Sequence, residues 1–340
     1  MKPQGFLDDL HRKPDVLAAL GTRLQAGNPW SILPFRPERI VFLGMGSSTY
    51  AAGVAAARLR SRGLVAVAEL ASSDRLPAWG AGTLVVLISA SGESKETLDA
   101  LERLAPGAAT AALTNVPGSS IAQRCDQVVL LGAETEVGGV ACRSYQHTLA
   151  LLLALEAHLL EPSIGDGRFR LDDVVRLIER TGKATAQLLA TEADWRPRVS
   201  ELLLGPAGSH LVAPARRFSS AQQSALMLRE GPRLSAIPGE AGDWAHVDVY
   251  LTKNTDYRLL VFAGSSWDAG ILEWTLPRRT TVVAVGGDFE GAAFTVRFPH
   301  DDDDDVRLLT EILVVELVAA HRWLVGESAP AMPIPSGKGR

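Results

Sequence analysis

From Pro37 onward the chain alternates short apolar, β-branched runs with helical stretches, and this alternation limits the possible folds more than any other feature. Arg39–Leu43, Val65–Leu70, Thr83–Ile88, Thr110–Leu113 and Gln127–Leu131 read as strands. Strands apolar on both sides belong in a parallel sheet covered by helices on both faces. A long helical pattern from about Ser144 to Leu160 closes this unit, and the polar stretch Glu161–Gly167 is the boundary candidate. The scheme then repeats. A helix is expected across Asp172–Glu192, a strand at Glu201–Leu204, and a helix from about Val212 to Arg229. Strands follow at Arg258–Phe262, Thr281–Val285 and Thr295–Phe298, and a final amphipathic helix at about Val306–Val325.

The expected class is therefore α/β, with two parallel sheets in tandem. Residues 1–36 form an N-terminal helical arm with Phe6, Leu10, Val16, Leu17, Leu20 and Leu24 on its apolar face. Residues 37–165 make the first sheet domain, 166–327 the second, and 328–340 a tail rich in Pro, Gly and Ser.

Charge and composition remove several classes of function. With 34 basic against 39 acidic residues the formal charge is −5, so the chain lacks the net positive field that attracts nucleic acid. The apolar runs Leu149–Leu155 and Ile312–Ala320 fall short of the ~20 residues that span a bilayer, so no membrane partner is expected and a cytoplasmic location is. Cys125 and Cys142 make no disulfide framework, and the seven histidines show no metal-ligand spacing.

Two segments carry chemistry. Leu43-Gly44-Met45-Gly46-Ser47-Ser48-Thr49 leaves the first strand, and Ile88-Ser89-Ala90-Ser91-Gly92-Glu93-Ser94-Lys95 leaves the third. Both are small, hydroxyl-rich turns that open a helix at the carboxyl end of a strand, the edge at which open α/β sheets bind ligands. Helix N-terminal N–H groups with Ser and Thr hydroxyls make a neutral phosphate cradle. One such loop would read as a simple helix cap; two at neighbouring strand tips point to phosphate. A dinucleotide or Walker-type site is not indicated, because neither signature is present.

These motifs, together with Thr114–Ser120 and Thr135-Glu136-Val137-Gly138 followed by Ser144 and a long apolar helix, resemble the sugar isomerase (SIS) family. The similarity is greatest to the isomerase half of the glucosamine-6-phosphate synthases and runs from about Phe6 to Gly326. It implies two tandem SIS domains of flavodoxin-like, three-layer αβα form, a hexose 6-phosphate or amino-sugar phosphate ligand, and a homodimer. It places the phosphate against Ser48, Ser89, Ser91 and Ser94, near the main chain of Ala90 and Gly139, with Gly46, Ser47 and Glu136 beside them. Ala90 stands where the family commonly has Gln.

The resemblance also gives roles to Glu230 and His246, which from composition alone read as a helix-end carboxylate and a hydrogen-bonded histidine. Glu230 falls on the glutamate that moves a proton between C1 and C2, and His246 on the ring-opening histidine contributed across the dimer interface. Such chemistry suits a carboxylate and an imidazole, and it requires no metal or organic cofactor. The family's two lysines are not matched: Met227 replaces one, and Lys338 is the only lysine placed to act from the tail. No glutaminase segment is matched, so glutamine-derived nitrogen would come from a separate ammonia-supplying partner. The expected activity is isomerisation, deamination or deglycation of a keto or amino hexose 6-phosphate through an enediol or enolamine. The alternative is a non-catalytic phosphosugar sensor.

Other features read more plainly. Asp301–Asp305 is expected to be a solvated loop with an Asp helix cap, and Arg143, Arg216 and Arg217 to make surface ion pairs.

Overall fold

The computed structural model describes residues 1–33, 36–160 and 169–327. The boundary expected at Glu161–Gly167 and the tail Ser328–Arg340, with Lys338, lie outside the described residues. The arm is two helices, α1 (Pro3–His11) and α2 (Lys13–Ala26). The first sheet unit runs β1 (Arg39–Gly44), α3 (Ser47–Ser61), β2 (Val65–Leu70), β3 (Thr83–Ile88), α4 (Lys95–Glu102), β4 (Ala109–Thr114), α5 (Ser120–Arg124), β5 (Gln127–Leu130) and α6 (Arg143–Leu160).

The second half begins with α7 (Leu171–Ala190) and α8 (Glu192–Leu203). It continues through β6 (Ser209–Ala213), α9 (Phe218–Glu230), β7 (Ala236–Glu240), α10 (Ala241–Trp244), β8 (Arg258–Phe262) and α11 (Asp268–Arg278). β9 (Thr281–Val285), β10 (Phe294–Val296), α12 (Asp304–Thr310) and α13 (Leu313–Glu327) complete it.

Both sheets are five-stranded and parallel, in the orders β2-β1-β3-β4-β5 and β10-β9-β8-β6-β7. Renumbered within its own half, the second order is the same doubly wound arrangement as the first. β3 is buried along its whole length, as its unbroken apolar run requires. One face of each sheet packs on a shared helical layer that includes α6, α9 and α13, in a single core cluster. The outer faces close over separate clusters, around Val41, Leu87 and Ala100 in the first half and Trp244, Tyr257 and Ile271 in the second.

Three expectations about the second half need correction. Glu201–Leu204 is not a strand but the end of α8, whose buried Trp195, Val199 and Leu203 recur every four residues, as one helix face requires. The following helix starts at Phe218, because Val212 is inside β6. The final helix divides into α12 and α13, where Val314 N–H donates to Glu311 O and Val315 N–H to Ile312 O, tightening the turn to i→i+3. Two strands, β6 and β7, were not foreseen; β7 is the more unusual. It contains Pro238 and Gly239 and occupies a sheet edge, where a missing N–H is tolerated.

The arginines differ from expectation in burial. Arg143 is fully buried and pairs with Asp9 at 3.2 Å, and buried Arg217 pairs with Glu311 of the α12–α13 turn. Arg216 does make a surface pair, with Asp304. Lys13 on α2 and Glu316 on α13 form another buried pair. In the acidic run, Asp303 caps α12 by accepting N–H bonds from Asp305 and Val306, as expected of that loop. Among the described residues no helix is long and apolar enough to cross a membrane, and no cluster of three or more His, Cys, Asp or Glu side chains could hold a metal ion.

Candidate active site

The two hydroxyl-rich loops leave adjacent strand tips, since Gly44 at the end of β1 is in register with Ile88 at the end of β3. Between them opens a cavity of about 670 Å³. Gly46, Ser47, Ser48, Ser89, Ala90, Ser91, Ser94, Glu136, Gly139 and Glu230 all line it. The sequence reading did not assign its apolar wall, which includes Met45, Ile88, Val116, Val140 and Leu226. Leu226 lies one helical turn before Glu230 and so shares its face of α9; that spacing was the available signal.

The serines also shape their own loop. Ser89 Oγ accepts from Gly92 N–H at 3.1 Å and Ser91 Oγ from Glu93 N–H at 3.2 Å, so each keeps its O–H to donate elsewhere. Ser94 is the N-cap of α4, accepting from Thr97 N–H at 3.4 Å, and it donates to Glu96 at 2.9 Å. Gly92 has φ +69°, and a Cβ there would come within 2.0 Å of Ser119 Oγ, so this turn requires glycine. At α3 the N-cap is Gly46, which has no side chain to cap the first turn, leaving that helix end for a ligand.

Two acids, Glu136 and Glu230, also line the cavity. Glu136 caps α6: its Oε1 accepts N–H bonds from Cys142, Arg143 and Ser144 at 2.7, 2.7 and 3.0 Å, and its Oε2 accepts the Ser144 hydroxyl at 2.6 Å. Asn115 fixes the approach to this loop, donating to Glu134 O at 2.6 Å and accepting from Ala133 N–H at 2.9 Å. The arm supports it from behind: Asp9 accepts from Gly138 N–H at 2.8 Å, and a Cβ on Gly138 would meet the Phe6 backbone at 2.5 Å. Burial, reinforced by the charge of Glu136, pushes the pKa of Glu230 above that of an ordinary glutamate. This is the environment a proton-transfer carboxylate needs.

His246 is not part of this cavity. It follows α10 in the second half, exposed, near Val247, Tyr250 and Leu251, which are also exposed. Trp244, two residues before His246, is buried and donates to Tyr257 Oη at 2.8 Å.

Comparison with known proteins follows the same lines. Residues 35–157 match the SIS domain family. This part of the chain is a SIS domain. The isomerizing glutamine–fructose-6-phosphate aminotransferase of Methanothermobacter thermautotrophicus is 30% identical over 226 residues, 64% of this chain and 35% of that protein. The match thus spans about a third of that relative's length. Among solved structures, the C-terminal domain of the Francisella tularensis glucosamine-fructose-6-phosphate aminotransferase superposes with a TM-score of 0.77 at 17% identity, covering 94% of this chain and 96% of that one. The tagatose-6-phosphate ketose/aldose isomerase of Escherichia coli gives a TM-score of 0.74 at 16% identity, covering 98% and 97%. Those coverages extend the SIS fold across both sheets.

Proposed function

We propose that the chain is a phosphosugar isomerase acting on a keto or amino hexose 6-phosphate. The observation that carries the reading is one cavity lined both by the serine hydroxyls of the two loops and by Glu230, a carboxylate whose pKa burial raises. The phosphate lies against Ser48, Ser89, Ser91 and Ser94, and Glu230 takes a proton from C2 or C1 and returns it to the neighbouring carbon through an enediol or enolamine. An amine on the sugar turns the same intermediate toward deamination or deglycation.

His246 serves this scheme from a second copy of the chain, in a homodimer. The exposed Val247, Tyr250 and Leu251 beside it, with Trp267 against Gly242, support a contact at that face. Mixing inactive Glu230→Gln and His246→Asn chains is then expected to restore about a quarter of wild-type activity, because half the dimers are mixed and each has one intact site. Mixtures as inactive as their components would remove the shared site.

A non-catalytic sensor is the second reading, supported by Met227, buried and apolar where the resembling family has a lysine. A sensor needs the serine cradle but not Glu230 in the cavity. Incubation with fructose 6-phosphate, glucosamine 6-phosphate and fructosamine 6-phosphates distinguishes the two, since binding without turnover favours the sensor. In either case the double variant Ser89→Ala/Ser91→Ala is expected to weaken phosphosugar binding about 10-fold or more, each lost hydrogen bond to a charged group being worth ~1.5–3 kcal/mol. Unchanged affinity by calorimetry would eliminate the cradle.

A further inference from the structure

The charge of the cavity is one-sided. Among the described residues lining it only Glu136 and Glu230 ionise, and both are acids. The serine loops offer neutral hydroxyl and N–H donors, so they add no positive side chain to offset the acids. Two carboxylates sharing a partly desolvated space repel unless one holds a proton or a cation joins them.

The two acids are held differently. Oε1 of Glu136 already accepts three N–H bonds, whereas Oε2 accepts one hydroxyl and keeps acceptor capacity. Glu136 is only half-buried and lies on the cavity wall. Its position is fixed by the first turn of α6, so it offers a pre-set acceptor. Glu230 has no such helix end to hold its charge, and burial beside Glu136 raises its pKa above that of an ordinary glutamate.

We propose that the cavity selects phosphosugars bearing a protonated amine over their neutral counterparts, with Glu136 Oε2 as the acceptor that makes the selection. The proposal rests on the phosphosugar reading above and names its substrate class. A primary or secondary ammonium at C1 or C2 brings both the positive charge the cavity lacks and the N–H donors that Oε2 can accept. Charge-assisted hydrogen bonds of this kind are about twice as strong as neutral ones. A hydroxyl in the same place donates a hydrogen bond without charge. Glu230 is left to move the proton, so recognition and chemistry fall to different carboxylates.

Two open-chain ligands without a carbonyl test this without turnover: 2-amino-2-deoxyglucitol 6-phosphate and glucitol 6-phosphate, which differ by an ammonium in place of a hydroxyl. By calorimetry near pH 7 the amine is expected to bind at least ~10-fold more tightly, a charge-assisted bond replacing a neutral one. Glu136→Gln brings the ratio close to one, while Ser89→Ala/Ser91→Ala weakens both ligands alike and keeps the ratio. Because Glu136 also caps α6, a measurement on unaltered protein stands beside the variant: the preference falls away as pH rises through the amine's own pKa. Equal affinities in the wild type, or a preference that persists in folded Glu136→Gln, overturn the proposal. Failure of both ligands to bind the wild type overturns the phosphosugar reading itself.

Discussion

Glu230→Gln is expected to lower kcat by ~10²- to 10⁴-fold, the usual contribution of a positioned general acid or base, while phosphosugar affinity changes by only a few-fold. The separation follows from the proposed arrangement, in which phosphate lies at the β1 and β3 tips, while Glu230 reaches the cavity from the end of α9. Gln is nearly isosteric but neither takes nor returns a proton. The direct measurement is incorporation of solvent deuterium at C1 or C2, followed by NMR, which reads proton transfer even where net conversion is slow. Deuterium incorporation equal to wild type would show that another group does the work. In the wild type the pH profile carries the same information. Where the carboxylate form is required, kcat/KM falls as acid protonates Glu230, and because its pKa is raised this fall occurs at higher pH than for an ordinary glutamate.

The second large effect concerns stability. Lys13→Met removes the cation from a pair whose side chains are 1% and 0% exposed, leaving the Glu316 carboxylate buried without its lysine. Breaking such a pair by removing one member costs ~3–5 kcal/mol, measurable as a lower urea midpoint with little change in slope. The pH dependence has a defined sign. Burial raises the folded-state pKa of Glu316 above its unfolded value, and loss of Lys13 raises it further. A carboxyl shifted this way favours the fold below the unfolded pKa, and that contribution is lost as pH climbs through the folded pKa. The deficit of Lys13→Met is therefore smallest in acid and largest near neutrality. Lys13→Met/Glu316→Leu, with no charge left inside, should recover most of the loss. A single variant as stable as wild type at pH 7 would mean that the pair contributes nothing.

Much of the first half could be read from the chain alone, for a physical reason. β1 and β3 are buried on both faces, so their apolar runs are unbroken, and the glycines and serines after them are chosen by the local turn. Local chemistry also gave Asp303 as a cap. What escaped was set by distant partners. Nothing near Lys13 announces Glu316, 303 residues away, and nothing near Arg143 announces Asp9, so charged residues that look superficial end up inside. β7 escaped because an edge strand can carry proline. At the site, the serine loops follow from residue type and position. Glu230 stood out only by family resemblance, and its meeting with Glu136 depends on how α9 packs against the start of α6, which no local pattern encodes. His246 lies outside the cavity of its own chain.

The support of the Glu136–Gly139 loop by α1 has a consequence for the order in which the molecule forms. α1 itself rests on α13, with Phe6 and Trp323 ring centres 6.4 Å apart, so this helix finds its seat only once α13, far along the chain, has been made. Such long-range closure comes late in folding. A nascent chain released as far as β5 has the strands of its first sheet and both serine loops, yet it lacks α9 and the α13 face on which α1 rests. If the cavity holds a sugar phosphate as proposed, binding would report that α9 and α13 have joined the first sheet.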